Sequence, residues 1–548
     1  MKTRYIFLSL MAAATLASCN DFLDISPTDK VTDKTIWSNV SNAELAVNYF
    51  YNNIGSFGSF GTYQSSIGMT EGLTDEMKYG NYLYFAQCRI PSEFSYGGAI
   101  LTPSYVDSYM GVWGSTYEQI RRVNEALGYL HSSGFSEADS KRLEGELRFF
   151  RGLYYFELMK RYHQAIIYGE DLSQINTNKA FGSEEEGWKY VLDDLTFAGE
   201  NLPVSNSAKG RLTSGAAYGL LSRAMLYCEN WQAVKSACEK VFGMNYSLCA
   251  NYEDAFKADN NPEAILMYQY DAKSGITHEF NMYYAPHTDR TIDGMTLDGG
   301  YGTPTQDMVE EYEYAKGGKP DWSTWHNTEG TLQQPPYDQL EPRFKATILY
   351  NGATWRDRTI EPYVGGADGW AEWQTDPQME GRTCTGYYLR KLVDESQNYA
   401  TSQNSTTPWI AIRLAEIYLN YAEACYRTGD NATAMQYLNK VRTRVGLPDV
   451  SGLSGESLME AIRHERKVEL AYEGQYYWDM RRWGLATTAF TGTRRHGLKI
   501  ESMGGTFRYT YVECDRENMN YPAKLNRLPI PQSELDNNKD VEQFSEWK

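Results

Sequence analysis

The sequence predicts a mainly α-helical protein with one long irregular region. Three segments carry apolar residues at helical spacing on both sides of a short polar turn, which is the pattern of an antiparallel helix pair. Between the second and third pairs, over residues 271–407, Gly, Pro, Asp and Thr surround scattered aromatic residues and the periodicity is lost. We therefore expect a single domain over residues 41–548. In it, a helical scaffold at about 41–270 and 408–548 supports a loop-rich region at about 271–407.

The first residues have the pattern of a secretory leader. Two cations precede an apolar run over residues 5–16, which is too short to span a bilayer, and small residues then lead to Cys19. We predict a signal peptide over residues 1–18 that is removed before Cys19. This cysteine follows Leu-Ala-Ser, as in the lipobox of bacterial lipoproteins, so we expect it to carry lipid. The alternative is an ordinary leader with an incidental cysteine. Residues 19–40 are then a polar spacer.

A first helix is predicted over residues 41–54. Its apolar positions recur at helical spacing, and Ser41 lies three residues before Glu44, which is the spacing of a capping box.

Three helical pairs follow. The first joins residues 115–131 to residues 137–161, the second spans 212–242 with a turn at 229–230, and the third spans 410–444 with a turn at 429–430. Small residues let the helices of each pair approach closely, and tyrosines fill the space between them. The sequence therefore predicts tetratricopeptide-like units.

A last helical stretch is predicted over residues 462–483, and it carries a row of carboxylates. Glu465, Glu469 and Glu473 repel one another at this four-residue spacing unless cations lie nearby. Three arginines of the same stretch can supply that charge: Arg466, Arg481 and Arg482. We interpret the group as a structural ion-pair network, and the alternative is a catalytic pair.

Composition and motifs exclude several classes of protein. The formal charge of −19 argues against a nucleic-acid partner. The eight cysteines include no CxxC pair, the seven histidines lack metal-ligand spacing, and there is no GxSxG, HExxH or P-loop motif. We expect no catalytic residue, no metal and no cofactor. Cys228, Cys238 and Cys425 fall within helical patterns, where a buried thiol is expected.

Four motifs, taken together, resemble the RagB/SusD family. They are Cys19-Asn20-Asp21-Phe22-Leu23-Asp24, the helix at 413–424, the run 465–474 with 478–483, and Leu528-Pro529-Ile530-Pro531. The resemblance covers essentially the whole chain. It implies an outer-membrane lipoprotein with a helical, tetratricopeptide-like frame, which captures a ligand as the lid of a SusC-like TonB-dependent transporter.

Two segments are candidates for the ligand surface. A neutral sugar is held by aromatic rings against its C–H faces and by polar groups at its hydroxyls, and residues 74–84 and 281–305 are rich in both. By their order along the chain, they match the regions with which glycan-binding members of the family contact ligand. The resemblance thus implies ligand contacts at Asp75, Asn81, Tyr82, Tyr84, Tyr283, Tyr284 and Tyr301. The alternative is that these tyrosines pack loops or contact the transporter.

A tryptophan group in the irregular region provides further candidates. Trp370 follows a glycine-rich turn and Trp373 lies close behind it, so both rings can serve as a platform for ligand or as loop anchors.

The leading hypothesis is a surface protein that binds oligosaccharide or polysaccharide and delivers it to the transporter. One alternative is a peptide-capturing, RagB-like member. A surface glycoside hydrolase is the less favoured alternative, because Asp75 and Glu76 are adjacent in sequence and do not flank a scissile bond from opposite sides.

Overall fold

The structure is a computed structural model. It describes residues 33–56, 69–79, 94–95, 97, 101–171, 173, 177–206, 208, 210–292, 295–296, 299–372, 382–396 and 405–548. The predicted lipidation site Cys19 and the predicted ligand contacts Asn81, Tyr82, Tyr84 and Trp373 lie outside these residues.

Most of the described chain outside the irregular region is helical, as predicted. The helices are α1 (Asp33–Ile36), α2 (Val40–Ser56), α3 (Pro103–Met110), α4 (Trp113–His131), α5 (Glu137–Tyr162), α6 (Glu184–Asn201), α7 (Ser214–Tyr227), α8 (Trp231–Phe242), α9 (Phe280–Tyr284), α10 (Gln306–Val309), α11 (Pro342–Thr347), α12 (Leu414–Arg427), α13 (Asn431–Arg444), α14 (Glu456–Glu469), α15 (Tyr476–Arg482), α16 (Ala486–Ala489) and α17 (Gln532–Asn537).

The three predicted helical pairs are confirmed. They are α4 with α5, α7 with α8, and α12 with α13, and each pair packs around its turn. Left-handed backbone lies in all three turns, at Gly134, Glu229 and Gly429. Neighbouring pairs also pack on each other, through α6 between α5 and α7 and through α8 against α12. One apolar core runs through this helical stack.

The N-terminal elements differ from the prediction in two details. Helix α2 begins at Val40, so Ser41 lies inside it and the predicted capping box is wrong. Instead, Asn39 Oδ1 accepts a hydrogen bond of 2.9 Å from the Asn42 N–H. The short helix α1 and the buried ring of Trp37 show that folded structure starts before residue 41.

Helix α6 was not predicted, although its start carries a clear signal. Ser183 and Glu186 form a capping box in which each side chain bonds the backbone N–H of the other residue. Three glutamates in the first turn also favour this helix end through the helix dipole.

The predicted helix over 462–483 is two helices. The chain leaves the helical conformation between α14 and α15, where Tyr472 and Gly474 have φ of 61° and 71°. Tyr472 is held there by a hydrogen bond of 2.9 Å from its hydroxyl to the carbonyl of Glu76. Tertiary contact therefore breaks a helix whose apolar pattern runs on.

The strands are short, and all of them pair in antiparallel twos. They are β1 (Met77–Tyr79), β2 (Ala264–Tyr268), β3 (Thr291–Ile292), β4 (Met295–Thr296), β5 (Gly302–Pro304), β6 (Ile348–Leu349), β7 (Thr354–Trp355), β8 (Arg358–Thr359), β9 (Tyr388–Leu389), β10 (Trp409–Arg413), β11 (His496–Ser502) and β12 (Phe507–Glu513). The β2–β10 pair stands where the chain enters and leaves the irregular region, so that region is tied to the scaffold at its base.

The irregular region has a core of its own. The rings of Trp322, Trp325 and Trp355 are buried in it, together with residues of the β11–β12 hairpin such as Ile500 and Tyr509. The irregular region is therefore ordered by burial of apolar side chains, although its sequence has no helical or strand periodicity from which a fold could be predicted.

A buried network of charged residues joins the C-terminal helices to this region. Arg413 Nη1 lies 2.6 Å from a carboxylate oxygen of Glu469, and its Nη2 lies 2.6 Å from Glu473. Arg343 Nη1 lies 2.6 Å from Glu465 and 2.9 Å from Glu469. Every one of these side chains is buried, so the network holds the scaffold and the irregular region in one arrangement.

The ion-pair network was predicted, but the three arginines predicted to pair with its glutamates were wrong. Arg466 and Arg482 both bond Asp479 instead, at 2.9 and 2.7 Å, and Arg481 donates to the carbonyl of Asn526. Arg466 points about 100° away from its neighbour Glu465 around the helix axis, and Arg481 and Arg482 lie on the separate helix α15.

Every described helix is too short or too polar to span a bilayer.

The thiols predicted to be structural are free, with Cys238 and Cys425 buried and Cys228 partly buried.

Candidate functional site

The two predicted ligand segments meet in the β1–β5 ladder. Met77 is opposite Pro304, Lys78 is opposite Thr303, and Tyr79 is opposite Gly302. Thr305 Oγ1 extends the contact by donating to the carbonyl of Asp75. Residues more than two hundred positions apart are therefore neighbours, as a shared site requires.

One end of this ladder carries a pair of tyrosines. The Tyr301 N–H donates to the carbonyl of Tyr283 at 2.8 Å, and the two ring centroids lie 5.3 Å apart at an interplanar angle of 31°. Tyr283 is partly exposed, and its hydroxyl donates to Glu279 Oε2 at 3.0 Å. Tyr301 is 6% exposed. Tyr283 is thus the ring of this pair that can meet a ligand, with Tyr301 packed behind it.

Tyr284 and Trp370 are packed inside the protein. Tyr284 is 2% exposed and its hydroxyl hydrogen-bonds that of Tyr79, whose pKa is raised well above its usual value, chiefly by burial. Trp370 is 7% exposed, beside Asp368, which is held by Arg358 at 2.7 Å. This burial argues against direct ring contact with ligand for both residues in this conformation.

The other end of the ladder opens on a cavity of about 520 Å³. We call it the Asp75 cavity. It is lined by Asp75, Asp307, Glu310, Glu311, Lys319, Pro320, Asp321, Trp322, Ser323 and His326. Its volume lies in the range of small-molecule sites.

Asp75 is fixed at the cavity by an ion pair with the C-terminal scaffold. Its Oδ2 lies 2.8 Å from Nζ of Lys467 on α14, and the same ammonium lies 3.2 Å from Glu311 Oε1. Burial raises the pKa of Glu311, but Lys467 and Lys319 outweigh it and hold that pKa far below the usual value. The Glu311 carboxylate is therefore ionised and accepts hydrogen bonds at neutral pH.

A histidine–tyrosine stack adjoins the cavity. The Tyr511 ring centroid lies 4.6 Å from that of His326 and 4.6 Å from that of His496. His326 Nε2 lies 2.7 Å from Glu310 Oε1, and His496 Nδ1 lies 2.8 Å from Asp307 Oδ1. Each imidazole is thus oriented by a carboxylate of the cavity wall.

The pKa values of His496 and Glu310 are both raised. Burial lowers the pKa of His496, but the hydrogen bond and charge of Asp307 raise it above its usual value overall. Burial raises the pKa of Glu310 as well. These two groups therefore hold protons more tightly than they do in water, whereas Glu311 holds its proton less tightly.

The charge of the cavity is net negative. Five carboxylates line it, from Asp75, Asp307, Glu310, Glu311 and Asp321, against Lys319 in the lining and Lys467, which pairs with Asp75 and Glu311. Such a lining can accept hydrogen bonds from many hydroxyls, and it also attracts cations. No group of three or more His, Cys, Asp or Glu within the described residues is placed to hold a metal ion.

Of the residues that form this cavity, the sequence identified Asp75 alone as a ligand contact. Tyr283 lies in α9 and Tyr301 directly precedes β5, at the end of the ladder opposite Asp75. Sequence reasoning did not identify Trp322, His326, His496 or Tyr511 as site residues, because these residues meet only in the folded chain.

Comparison with known proteins places the chain in a family. Residues 262–547 match the family model described as "SusD family", and residues 21–226 match a second model, described as "Starch-binding associating with outer membrane".

Individual relatives agree with these models along most of the chain. A SusD-like protein of Bacteroides ovatus is 24% identical, over 98% of this chain and 96% of its own length. The starch-binding protein SusD of Bacteroides thetaiotaomicron is 23% identical over 80% of each chain. The crystal structure of a SusD-like protein from Bacteroides fragilis superposes with a TM-score of 0.78 at 27% identity, over 95% of this chain and 99% of that one. The resemblance found in the sequence is therefore confirmed, and the chain belongs to the SusD family.

Proposed function

We propose that this protein captures oligosaccharide or polysaccharide at the cell surface and delivers it to a SusC-like TonB-dependent transporter in the outer membrane. The observation that carries the proposal is the β1–β5 ladder, which has the Asp75 cavity at one end and Tyr301 at the other, where the Tyr301 N–H bonds the carbonyl of the partly exposed Tyr283. An aromatic ring for C–H faces at one end and a wall of hydrogen-bond acceptors at the other suit a neutral sugar chain. The starch-binding relative and the family description support the same class of ligand.

The direct test is binding without cleavage. The purified mature protein is run in native gels that contain one polysaccharide each, and the same mixtures are assayed for new reducing ends. We expect retarded migration in at least one glycan and no released sugar. Released sugar would establish the hydrolase alternative, since the cavity does bring several carboxylates together.

Calorimetry with oligosaccharides of the retained glycan then tests the site. Tyr283→Ala removes a ring that contributes on the order of 1 kcal/mol by stacking, so Kd should rise about fivefold. Asp321→Ala and His326→Ala change exposed side chains of the Asp75 cavity and should also weaken binding. Tyr129→Ala, at an exposed tyrosine of the helical scaffold, is the matched control and should leave Kd unchanged. Unchanged affinity in all three site variants would remove the site assignment.

The negative cavity favours a second candidate, a ligand that carries positive charge, such as a lysine- or arginine-containing oligopeptide. The same calorimetry with basic oligopeptides decides between the two. Binding of such peptides that weakens steeply with salt, without binding of any glycan, would identify a peptide-capturing, RagB-like member.

The proposal includes a lipid anchor on Cys19 at the outer face of the outer membrane. Mass spectrometry of the native protein should find Cys19 as the first residue, with acyl chains on its sulfur. Cys19→Ala should leave the protein unlipidated and released from the membrane fraction, because several acyl chains, and no protein span, hold it there. A native product cleaved elsewhere and without lipid would contradict the anchor.

Delivery requires a physical complex with the transporter. Mild detergent extraction of the tagged, lipidated protein should co-purify a TonB-dependent transporter. If the protein is recovered alone from membranes in which such a transporter is present, delivery through this complex is contradicted.

A further inference from the structure

Two buried cysteines meet where the β11–β12 hairpin packs against the segment that precedes β9. Cys514, directly after β12, places its Sγ 3.0 Å from the carbonyl oxygen of Cys384. Both residues are fully buried and both thiols are free. They share a small apolar cluster with Ala371. The pair is thus in direct contact although its members are 130 residues apart.

The two backbones are held together independently of the sulfur atoms. The Leu498 N–H donates to the carbonyl of Thr385 at 2.9 Å. Gly497 packs so closely that a Cβ there would lie 2.6 Å from Cα of Thr385 and 3.0 Å from Sγ of Cys514. The hairpin therefore cannot move away from the Cys384 segment without losing this packing. A disulfide needs two backbones fixed at short range, and the fold provides that arrangement.

The thiols also influence each other chemically. A hydrogen bond from the Cys514 thiol lowers the pKa of Cys384, whereas burial raises the pKa of Cys514 well above its usual value. One member of the pair is therefore the better nucleophile, which is the asymmetry that thiol–disulfide exchange uses.

We propose that Cys384 and Cys514 form a disulfide once the chain has left the cytoplasm. While the chain folds, before Cys384 is buried, its thiolate attacks a small-molecule or protein disulfide and forms a mixed disulfide, and one thiol leaves. The Cys514 sulfur then attacks Cys384 Sγ and releases the second thiol. The two cysteines give up two electrons and two protons, and the oxidant becomes two thiols. The proposal relies on export of the chain but on no particular ligand.

The bond would tie the hairpin to the irregular region beside the candidate site. His496 and Tyr511, which form the stack next to the Asp75 cavity, belong to this hairpin. The open end of the hairpin, which carries His496 and Tyr511, would then be fixed covalently. The bond would close a loop of more than one hundred residues, which restricts the unfolded chain.

The test compares the full chain exported by a host with the same chain retained in a reducing cytoplasm. Each sample is denatured, alkylated without reduction, and analysed by mass spectrometry. In the exported chain we expect Cys384 and Cys514 to escape alkylation and to yield one linked peptide pair, which reduction abolishes; Cys19 is left out of the comparison because export is expected to lipidate it. Cys228 serves as the internal control and should be alkylated in both samples. Full alkylation of Cys384 and Cys514 in the exported chain, or linkage of either to another cysteine, would overturn the proposal.

Thermal unfolding gives a second readout, because the native exported chain can be compared with and without reductant. Reduction should lower the Tm of the exported chain by about 4 °C. The double variant Cys384→Ala/Cys514→Ala should show no such response to reductant. A native Tm that reductant leaves unchanged would also contradict the proposed link.

Discussion

At the scale of single residues, a buried network of charged side chains joins the C-terminal helices to the irregular region. The spacing of Glu465, Glu469 and Glu473 was enough to predict an ion-pair network, because three like charges in a row need cations. It could not identify Arg343 and Arg413, which come from other parts of the chain. The spacing of the glutamates predicts that cations lie nearby, but which arginines these are is determined by the tertiary fold.

Removing Arg413 should therefore be severe. Arg413→Ala leaves Glu263, Glu469 and Glu473 buried with less compensation, and we expect a loss of about 3–5 kcal/mol in the free energy of unfolding. Urea unfolding followed by circular dichroism measures it. The control is Arg121→Ala, which breaks an exposed pair with Glu125 and should cost less than about 0.5 kcal/mol. Similar losses in the two variants would contradict this account of the network.

The pair of His496 and Asp307 should give stability that depends on pH. Because the pKa of His496 is raised in the folded state from its usual 6.5, the contribution is fully present below that value. It is lost as the pH rises through the folded pKa. We expect His496→Gln to lower Tm more at pH 5.5 than at pH 9. A Tm difference that stays constant over this range would show that the charge of the imidazole is irrelevant.

At the scale of elements, periodicity predicted the helix pairs and failed where long-range contact overrides it. The residues of 462–483 keep an apolar pattern, yet the chain breaks between α14 and α15. There the Gly474 N–H donates to Glu71 Oε1 at 2.6 Å, and Glu473 reaches Arg413. These contacts replace the helical hydrogen bonds lost at the break, and none of them can be deduced from the local sequence.

The break should depend on the glycine that allows it. In Gly474→Ala the new Cβ meets no atom within 4 Å, so the cost is that of placing alanine at φ of 71°, about 1 kcal/mol of stability. Gly114→Ala is the control, since Gly114 lies in α4 with equally open surroundings and should lose nothing. Chemical denaturation of both variants measures the difference. A loss of stability in Gly114→Ala as large as that in Gly474→Ala would refute the backbone explanation.

At the scale of the whole molecule, a helical stack supports an irregular region that has a separate core, and the β2–β10 pair ties the two together. The sequence predicted this division, because helical periodicity stops and resumes near these strands. It also identified the two segments of the β1–β5 ladder. It did not predict which tyrosines face outward, since Tyr283 and Tyr284 are adjacent in sequence and their exposure is set by packing. Nor did it predict the Asp75 cavity, which is assembled from well-separated parts of the chain.

The most direct test of the central claim is a crystal structure of the mature protein with an oligosaccharide of the glycan that it retains in gels. We expect ordered sugar rings that contact Tyr283 or the walls of the Asp75 cavity, with hydroxyls hydrogen-bonded to its carboxylates. Sugar bound only to another surface, such as the groove beside Tyr418 and Asn439 on the helical scaffold, would contradict the account.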